Sequence, residues 1–528
     1  MSDVKVEPVR EVVASAAVDG EHVEQQDKGG FSFPHPITFL GLIILVVWLL
    51  TLVIPAGTYD RVDGRPVAGT FHQVPSPLDF RGHVANLLLS PINGLYGIRS
   101  PDTGQVGPFA SGSLFGGAQV FLFILAIGAF MTVVFQTGAL DLGIGHLAHS
   151  FRARGPLLII VMSVLFGVLG SVMTWSDETL GSYALLLPLM FALGYDRMVT
   201  VAVVTVAPFV GAIGSTVTPF RIGVGSDAAG ISIGDGIVLR LVLFVLTLGA
   251  MILYTLRYAA RVKADPSHSL VRVQPTSDEH VPTAAQETEP LTGTHKVIIA
   301  LVALTFVLLV FSIIPWSDLL GGHPGPGDYD THTTAAAPFA WELGWWLPEL
   351  SAMFVVMAVV IGAVGRLGEK GTAAAIIKGI TDFVGPGIIV PIALAVSVIL
   401  TNSKTLDTVL HAMEGFVGGL SGVGFTMLLA IVTLPLGFLV GSGSAGQALT
   451  MPILAPLADF ANIHRSLVVT TYNAMGAWLN LVLPINAILV AGLALAKVPF
   501  DRYIRFMTPL MGILLVIILV VLVIGSAF

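Results

Sequence analysis

The stretch that decides the fold reads Gly441-Ser442-Gly443-Ser444-Ala445-Gly446-Gln447-Ala448-Leu449-Thr450-Met451-Pro452, and it lies between two strongly apolar runs. Its glycines, hydroxyls and one amide interrupt sequence that is otherwise apolar enough for a membrane interior. Within hydrocarbon every backbone N–H and C=O needs a partner, so an interrupted helix persists only against protein, water or a bound solute. A similar interruption occurs in the first half of the chain, at residues 171–188 and 214–219. Two such segments predict a solute site inside a membrane protein.

Composition supports this interpretation. The chain has 528 residues, of which 55% are hydrophobic and only 11% charged, whereas soluble domains carry roughly 25% charged residues. The 58 glycines allow close helix packing. Cysteine is absent, which excludes disulfides, thiolate chemistry and Cys-ligated metals. A net charge of −8 with scattered basic residues gives no nucleic-acid footprint. The expected partners are therefore the lipid bilayer and a small-molecule substrate, with no nucleic acid.

Apolar segments of spanning length recur along the chain and predict about 10–12 crossings. Two shorter apolar pieces, 180–194 and 448–461, are better interpreted as arms of re-entrant hairpins. Residues 1–30 are polar and lack the apolar centre of a signal peptide. The first apolar segment, 37–55, is therefore expected to remain as an anchor.

Charge in the short loops predicts the orientation. Basic residues place 150, 260–295 and 366–378 in the cytoplasm, and 317–349, which has no Lys or Arg, outside. The protein is thus expected to be multi-pass with a cytoplasmic N-terminus. The predicted organisation is a disordered cytoplasmic tail (1–33), a first membrane half (34–258) with an extracytoplasmic loop (58–116), a cytoplasmic linker (259–295) and a second membrane half (296–528).

The two halves resemble each other weakly. An offset of 268 residues aligns Pro188 with Pro456, Arg197 with Arg465, Ser176 with Ser444 and Ser182 with Thr450. At an offset of 265, Pro219 falls on Pro484 and Ser215 on Asn480. Paired interruptions at matching positions of two halves are typical of inverted-repeat transporters. The predicted fold class is an all-α polytopic membrane protein with two inverted repeats, re-entrant hairpins and broken helices.

The first group of candidate site residues is Ser176, Asp177, Glu178 and Thr179. Adjacent carboxylates at membrane depth are costly unless they are solvated, protonated or paired with a cation. Ser176, Glu178 and Thr179 are predicted to bind substrate, and Asp177 and Glu178 to bind a coupling ion. The alternative is that Ser176 or Asp177 caps a hairpin helix.

The second group precedes and follows Pro219. Ser215, Thr216 and Thr218 are predicted to line a helix break and to bind substrate. Arg221 could make a two-pronged contact with a carboxylate ligand. Alternatively, Arg221 pairs with Asp227 or extends to the cytoplasmic interface.

The third group belongs to the second half. Ser442, Gly443, Ser444, Asn480 and Asn486 are predicted to bind substrate, and Asn473 and Asn480 to hold a coupling ion, because amides and unwound carbonyls commonly build Na⁺ sites. The alternative for the asparagines is hydrogen bonding between helices. Lys404 and Asp407 are predicted to form a local ion pair.

At these residues the chain resembles the YfcC-like branch of the DcuC family. The resemblance is carried by Phe33-Pro34-His35-Pro36, Val53 to Asp60, Asp177-Glu178-Thr179, Leu185 to Asp196, Gly214-Ser215, Gly441 to Pro456, Asn480 to Pro484 and Ala496 to Phe500. It covers nearly the whole chain outside the tail and the linker.

The resemblance implies a bacterial inner-membrane carrier that works by an elevator motion and forms a homodimer through its scaffold helices. Neighbouring branches carry C4-dicarboxylates or exchange arginine and ornithine. This chain departs from the family pattern: Gly441 replaces a proline, Thr218 an asparagine, Gly476 an aspartate, and Arg221 a small polar residue. A site with one acid fewer and one base more favours an anionic substrate over a cationic one.

The sequence therefore predicts a secondary active transporter of a small carboxylate-bearing metabolite, a C4-dicarboxylate or an amino acid, that is ion-coupled or works by exchange. The main alternative is a basic amino acid antiporter of the arginine/ornithine type. More remote are a channel and an intramembrane hydrolase, the latter suggested by Tyr195-Asp196 and Gly234-Asp235. His-Glu-x-x-His and Walker A motifs are absent. We therefore expect no enzyme activity, no resident metal and no cofactor beyond Na⁺ or H⁺ as the coupling ion.

Overall fold

The computed structural model describes residues 36–62, 65–271, 290–314, 316, 339, 341–439, 443–484 and 486–527. The predicted tail at 1–33 and the candidate residue Ser442 lie outside these ranges. The described chain is mostly helical, as the sequence predicted.

The described part of the first half contains ten helices: α1 (Pro36–Thr51), α2 (Phe80–Tyr96), α3 (Ala118–Gln136), α4 (Ala139–Ser150), α5 (Gly155–Met173), α6 (Tyr183–Ala192), α7 (Arg197–Val201), α8 (Ala207–Gly214), α9 (Val224–Ala229) and α10 (Ile237–Ala264). A 3₁₀ turn at Glu178–Ser182 precedes α6, and π-helical turns at Ala202–Val206 and Pro219–Gly223 lead into α8 and α9. Helix α10 continues six residues into the predicted linker, and a 3₁₀ turn at Pro266–His268 follows it.

The described part of the second half contains nine helices: α11 (Gly293–Ile313), α12 (Leu347–Val364), α13 (Gly368–Asn402), α14 (Leu406–Val417), α15 (Gly422–Leu439), α16 (Ser444–Phe460), α17 (Arg465–Asn480), α18 (Ala487–Leu495) and α19 (Phe500–Gly525). Over the described ranges, eight helical spans are long and apolar enough to cross a membrane, or nine if the bent pair α14–α15 is counted. The sequence count was higher because it included α1 and α17, which at 16 residues each are shorter than the roughly 20 residues of a full crossing.

Helices approach closely where glycines face each other, both between the two halves and within the first half. An added Cβ on Gly379 of α13 would lie 2.3 Å from the carbonyl oxygen of Gly128 on α3. Likewise, a Cβ on Gly211 of α8 would lie 2.0 Å from the carbonyl oxygen of Gly167 on α5. Both distances are far below contact, so only glycine permits these backbones to meet. Helices α2, α3, α12 and α13 form one packed group, and α5, α8, α10 and α15–α17 form another.

The order of elements is the same in both halves. Helix α3 corresponds to α13, α4 to α14, and the hairpin arms α5 and α6 to α15 and α16. The broken helix α7–α9 corresponds to the broken helix α17–α18, and α10 to α19. The helices after the hairpins begin at Arg197 and Arg465, the two residues that the 268-residue offset aligns. The weak sequence similarity between the halves therefore corresponds to a matching sequence of structural elements.

The segment between α1 and α3 carries seven two-residue strands, which the sequence did not indicate. They form antiparallel pairs β1 (Gly57–Thr58) with β4 (His72–Gln73), β2 (Arg61–Val62) with β3 (Arg65–Pro66), and β5 (Ile98–Arg99) with both β6 (Val106–Gly107) and β7 (Ser113–Leu114). This segment packs on α14 and α16. Asp407 accepts hydrogen bonds from Arg61 Nη2 at 2.6 Å and from the backbone N–H of Tyr59 at 3.1 Å. The predicted ion pair between Lys404 and Asp407 is therefore wrong, because Arg61 of the distant strand β2 is the cation that binds Asp407.

Candidate functional site

The first hairpin, formed by α5 and α6, packs against the broken helix α7–α9 of its own half. Thr179 donates one hydroxyl to the carbonyl oxygens of Ser176 and Val204, at 2.7 and 2.9 Å. These bonds fix the 3₁₀ turn at the hairpin tip to the π-helical turn before α8. A Cβ on Gly492 of α18 would lie 2.4 Å from Thr205 Oγ1 and 3.3 Å from the side chain of Leu180. The first hairpin therefore meets the part of the second broken helix that follows its break.

The second hairpin, formed by α15 and α16, contacts the broken helix of the first half in the same way. A Cβ on Gly225 of α9 would lie 2.6 Å from Gln447 Oε1 on α16 and 3.0 Å from the side chain of Val469 on α17. Helix α16 thus packs on the part of the first broken helix that follows its break. The interrupted segments of the two halves therefore lie together, as the sequence predicted.

The first break is held by hydrogen bonds to the end of α5. Ser215 has a left-handed φ of 28°, and its hydroxyl donates to the carbonyl oxygen of Ala212 at 2.7 Å. Ser171 Oγ accepts from the backbone N–H of Thr216 at 3.1 Å, and its carbonyl oxygen accepts from Thr218 Oγ1 at 2.7 Å. The three predicted residues do lie at the break, where their hydrogen bonds stabilise the unwound backbone.

Arg240 also stabilises this break, and the sequence did not indicate it. Its side chain is fully buried on α10. Its Nε donates to the carbonyl oxygen of Thr216 at 3.2 Å and its Nη1 to that of Asp235 at 2.7 Å. A buried guanidinium that satisfies unwound carbonyls serves the same purpose as a helix cap.

Asn473 joins the two halves at the same place. Its Nδ2 donates to the carbonyl oxygens of Ala212 and Ile213, at 3.1 and 3.2 Å. These carbonyls belong to the last turn of α8 before the break, so α17 is fixed directly to the first broken helix. The hydrogen-bonding interpretation of Asn473 is confirmed for its nitrogen, whereas its Oδ1 has no partner among the described residues.

Several further buried polar atoms have no hydrogen-bond partner within the described ranges, and those of five residues lie on three helices that pack together. We refer to Ser226 of α9, Gln447 of α16, and Thr470, Thr471 and Asn473 of α17 as the unpartnered group. Each is at most 1% exposed, and both Oε1 and Nε2 of Gln447 are unpaired. Because more than nine in ten buried polar groups in proteins are bonded and an unpaired one costs roughly 1–3 kcal/mol, such a concentration indicates a place where a polar solute would supply the partners.

Of the residues that the sequence predicted for the site, Asn473 belongs to this group, whereas Gly443 and Ser444 lie next to it. Gly443 and Ser444 begin α16, where Gly443 accepts the backbone N–H of Gln447 at 3.2 Å and Ser444 is half-buried. Gln447 was part of the decisive stretch, yet only tertiary packing shows that its amide is enclosed. The sequence feature that could have indicated Gln447 is an amide one turn inside a largely apolar helix.

Arg221 is buried at the start of the helix half after the first break, with 6% exposure. Its side chain therefore does not extend into solvent. Asp227 makes no ion pair within the described chain, so the predicted Arg221–Asp227 pair is also not formed. Arg221 instead lies close enough to Tyr472 for an electrostatic interaction. Tyr472 is the neighbour of Thr471 and Asn473, so a buried cation adjoins the unpartnered group.

The acidic pair lies at the tip of the first hairpin. Asp177 and Glu178 are exposed, whereas Ser176 is buried and its hydroxyl is unpaired in the described structure. Asp177 precedes the 3₁₀ turn without making a side-chain cap. The capping interpretation of Ser176 and Asp177 is therefore wrong.

At the second break, Asn486 has a structural role. Its Oδ1 accepts from the backbone N–H groups of Ile488 and Leu489, at 3.2 and 3.5 Å, and its Nδ2 donates to the carbonyl oxygen of Asn480 at 3.2 Å. Asn486 thus caps α18 and bridges the break, while Asn480 is half-buried beside it.

Asp196 has a structural environment. Its carboxylate accepts from the hydroxyls of Tyr258 and Ser269, at 2.5 and 2.6 Å, and from the backbone N–H of Val199 at 3.1 Å. It caps α7 and holds the beginning of the linker. This arrangement disfavours the intramembrane hydrolase, which needed Asp196 as a free acid.

Comparisons with known proteins agree with this architecture. The family model of the C4-dicarboxylate anaerobic carrier DcuC matches residues 33–527. An uncharacterized protein of Haemophilus influenzae is 27% identical over 93% of this chain and 96% of its own length. The putative basic amino acid antiporter YfcC of Escherichia coli is 26% identical over 95% of this chain and 97% of its own length.

Two solved transporters share the fold. The Alcanivorax borkumensis YdaH transporter superposes with a TM-score of 0.64 at 16% identity, covering 94% of this chain and 99% of its own. Neisseria gonorrhoeae MtrF, described within a class of antimetabolite efflux pumps, superposes with a TM-score of 0.63 at 17% identity, covering 94% and 96%. At these identities the likeness shows the fold, which is that of multi-pass membrane transporters.

Proposed function

Since the chain belongs to the DcuC family of membrane carriers, we propose that it is a secondary active transporter of a small carboxylate-bearing metabolite. The observation that carries this proposal is the unpartnered group. Five buried polar residues on helices of both halves offer hydrogen bonds that the described protein does not use itself. A C4-dicarboxylate or an amino acid is small and polar enough to use them.

The charge beside this group favours a carboxylate. Arg221 is buried within reach of Tyr472, and α16 presents its N-terminus at Gly443 and Ser444. Arginine recognises carboxylates through paired hydrogen bonds, and a helix N-terminus favours negative charge. The substrate carboxylate would thus contact Arg221 and the start of α16, while Gln447 and the threonines would orient the remainder of the molecule.

Coupling to Na⁺ or H⁺, or exchange, completes the proposal. Asp177 and Glu178 are the exposed acids at the first hairpin, and Asn473 Oδ1 is a buried carbonyl oxygen without a partner in the described chain. With Asn480 they remain the proposed coupling-ion residues. We also propose inverted repeats, an elevator motion of the group containing α16 and α17 against the group containing α3 and α13, a homodimer, and residence in a bacterial inner membrane with the N-terminus in the cytoplasm.

A second candidate is a basic amino acid antiporter. The named Escherichia coli relative supports it, as does the exposed acidic pair Asp177–Glu178, which would attract a cation. The buried Arg221 beside the unpartnered group argues against a cationic side chain at that position.

Uptake by the purified protein in liposomes tests these proposals. We expect accumulation of radiolabelled succinate or aspartate that depends on a Na⁺ gradient, a pH gradient or an internal exchange substrate. Accumulation of arginine in exchange for ornithine, without any anion uptake, would reject the carboxylate carrier in favour of the antiporter. Unitary currents in a planar bilayer would instead indicate a channel.

A further inference from the structure

A cavity of about 560 Å³, with both charged and apolar side chains in its lining, contains no member of the unpartnered group. It is enclosed by the strand segment between α1 and α3, by the C-terminal part of α13, by the end of α9 and by the middle of α16. We call it the loop cavity. Four basic side chains, Arg61, Arg99, Lys404 and Arg465, and two acidic ones, Asp227 and Asp407, line it, so the lining carries an excess of positive charge.

Two of the four bases are neutralised by carboxylates. Arg61 binds Asp407 at 2.6 Å. Arg465 binds both oxygens of Asp459 through Nε, at 3.1 and 3.2 Å, and donates Nη1 to the carbonyl oxygen of Ala229 at 2.8 Å. These pairs fix the walls of the cavity and leave little free charge.

The other two bases form no direct ion pair with a carboxylate of the described residues, although Arg99 interacts with Asp407 at longer range. The guanidinium of Arg99 lies over the ring of Phe115, 4.6 Å from its centroid. Lys404 is held by its backbone, with a left-handed φ of 54° and a carbonyl oxygen that accepts from the N–H of Gly57 at 2.9 Å. An aromatic contact and a backbone turn therefore present two cations to one cavity without neutralising them.

Asp227 opposes these cations only in part. Its carboxylate has no ion pair within the described chain, so two unpaired cations face one unpaired acid. A cavity whose walls carry one predominant sign concentrates counter-ions, and arginine and lysine in such a cavity suit a carboxylate.

We propose that the loop cavity binds small carboxylate anions at Arg99 and Lys404, as a capture site distinct from the unpartnered group. The two places share helices. Asp227 directly follows Ser226 on α9, and Pro452 is five residues after Gln447 on α16, about 7–8 Å along a helix. An anion in the cavity is thus within one to two helical turns of the proposed transport site. That the captured anion is also the transported one rests on the proposed function, whereas its binding does not.

The absence of cysteine allows a direct test. Gln119 lines the cavity, and Gln119→Cys introduces the only thiol of the chain. Ser76→Cys places a matched thiol on an exposed part of the same segment outside the cavity lining. Each protein, in phosphatidylcholine nanodiscs that carry no anionic lipid, is labelled with an anionic sulfonatoethyl and a cationic trimethylammonioethyl methanethiosulfonate, with and without succinate.

We expect the anionic-to-cationic labelling ratio to be about tenfold higher at position 119 than at position 76, because a positive cavity raises the local concentration of anions. Succinate should slow labelling at 119 and leave 76 unchanged. Arg99→Gln and Lys404→Gln, each added separately, should lower the ratio and weaken the protection. Arg81→Gln, on an exposed arginine at the start of α2, should do neither.

Equal ratios at the two positions, or protection by succinate that persists in both Arg99→Gln and Lys404→Gln, would overturn the proposal. Two charge variants are included so that misfolding of one leaves the other to decide, with labelling at position 76 as the reference for a folded protein. Protection without any carboxylate uptake would reject the transport function and retain the capture site. Uptake without protection would reject the capture site alone.

Discussion

Replacing Gln447 with methionine should impair transport without destabilising the protein. The amide of Gln447 is fully buried and neither polar atom has a partner in the described structure. Methionine has a similar length and carries no strong hydrogen-bonding group. Removing an unpaired buried amide relieves a penalty of roughly 1–3 kcal/mol, so thermal stability should stay the same or rise.

The transport effect should be large. If the amide bonds the substrate, Gln447→Met forfeits a hydrogen bond to a charged group, which contributes roughly 1.5–3 kcal/mol. With a factor of ten for each 1.4 kcal/mol, the apparent affinity should fall about 10–100-fold. Uptake into liposomes over a range of succinate concentrations measures this, and the thermal stabilisation that the substrate confers should diminish in parallel.

Asn402→Leu is the matched control, because Asn402 is a buried amide of α13 with all its bonds made. Its Oδ1 accepts from the backbone N–H of Val106 at 2.6 Å, and its Nδ2 donates to Asn86 Oδ1 at 3.0 Å and to the carbonyl oxygen of Val106 at 2.9 Å. The substitution strands at least two buried groups, which at roughly 1–3 kcal/mol each costs about 2–6 kcal/mol. The melting temperature should therefore fall for Asn402→Leu and not for Gln447→Met.

The decisive comparison is between the changes in melting temperature caused by Gln447→Met and by Asn402→Leu. If Gln447→Met lowers the melting temperature as much as Asn402→Leu does, the amide has a structural partner and the unpartnered group does not mark a ligand site. If Gln447→Met is stable and transports normally, the site lies elsewhere.

Three further substitutions test other parts of the argument. Ser444→Trp fills the start of the second hairpin helix and should abolish uptake while the protein still inserts in the membrane; normal uptake would exclude this position from the site. Glu178→Gln should change the pH or ion dependence of uptake, measured across Na⁺ and pH gradients, and an unchanged dependence, with Asp177→Asn for comparison, would remove Glu178 from coupling. Arg240→Lys cannot reach the carbonyl oxygens of both Thr216 and Asp235, so it should lower stability by roughly 1–3 kcal/mol, whereas the exposed Arg257→Lys should leave the melting temperature unchanged.

Much of the fold could be predicted because membranes restrict it strongly. Apolar runs interrupted by glycine, hydroxyls and proline indicated both hairpins and both breaks, and the 268-residue offset placed Arg197 and Arg465 at equivalent helix starts. The short strands between α1 and α3 were missed because two-residue pairs have no periodicity to detect. Asp407 was assigned to Lys404 because sequence shows only local partners, whereas Arg61 arrives from a distant strand.

The site was harder to predict, since a polar residue in an apolar run can serve the protein or a ligand. Ser215 and Thr218 were predicted to line the first break, and they do, but their hydroxyls donate to Ala212 and Ser171. Gln447 was not among the predicted site residues, yet both polar atoms of its side chain lack a partner in the described structure. Which hydroxyl or amide remains unpaired depends on tertiary packing, and a single sequence does not show it.

The distribution of paired and unpaired groups implies that the two breaks contribute unequally. The hydroxyls of Ser215 and Thr218 are bonded to backbone carbonyls, and Arg240 reinforces the same first break, so this region acts as a rigid frame. The unpartnered atoms belong mainly to α16 and α17, with Ser226 of α9 completing the group. The proposed solute site is therefore displaced from the midpoint between the breaks towards the second hairpin. Because α16 carries Gln447 in this group and Pro452 in the loop cavity, a displacement of this helix would alter both places together.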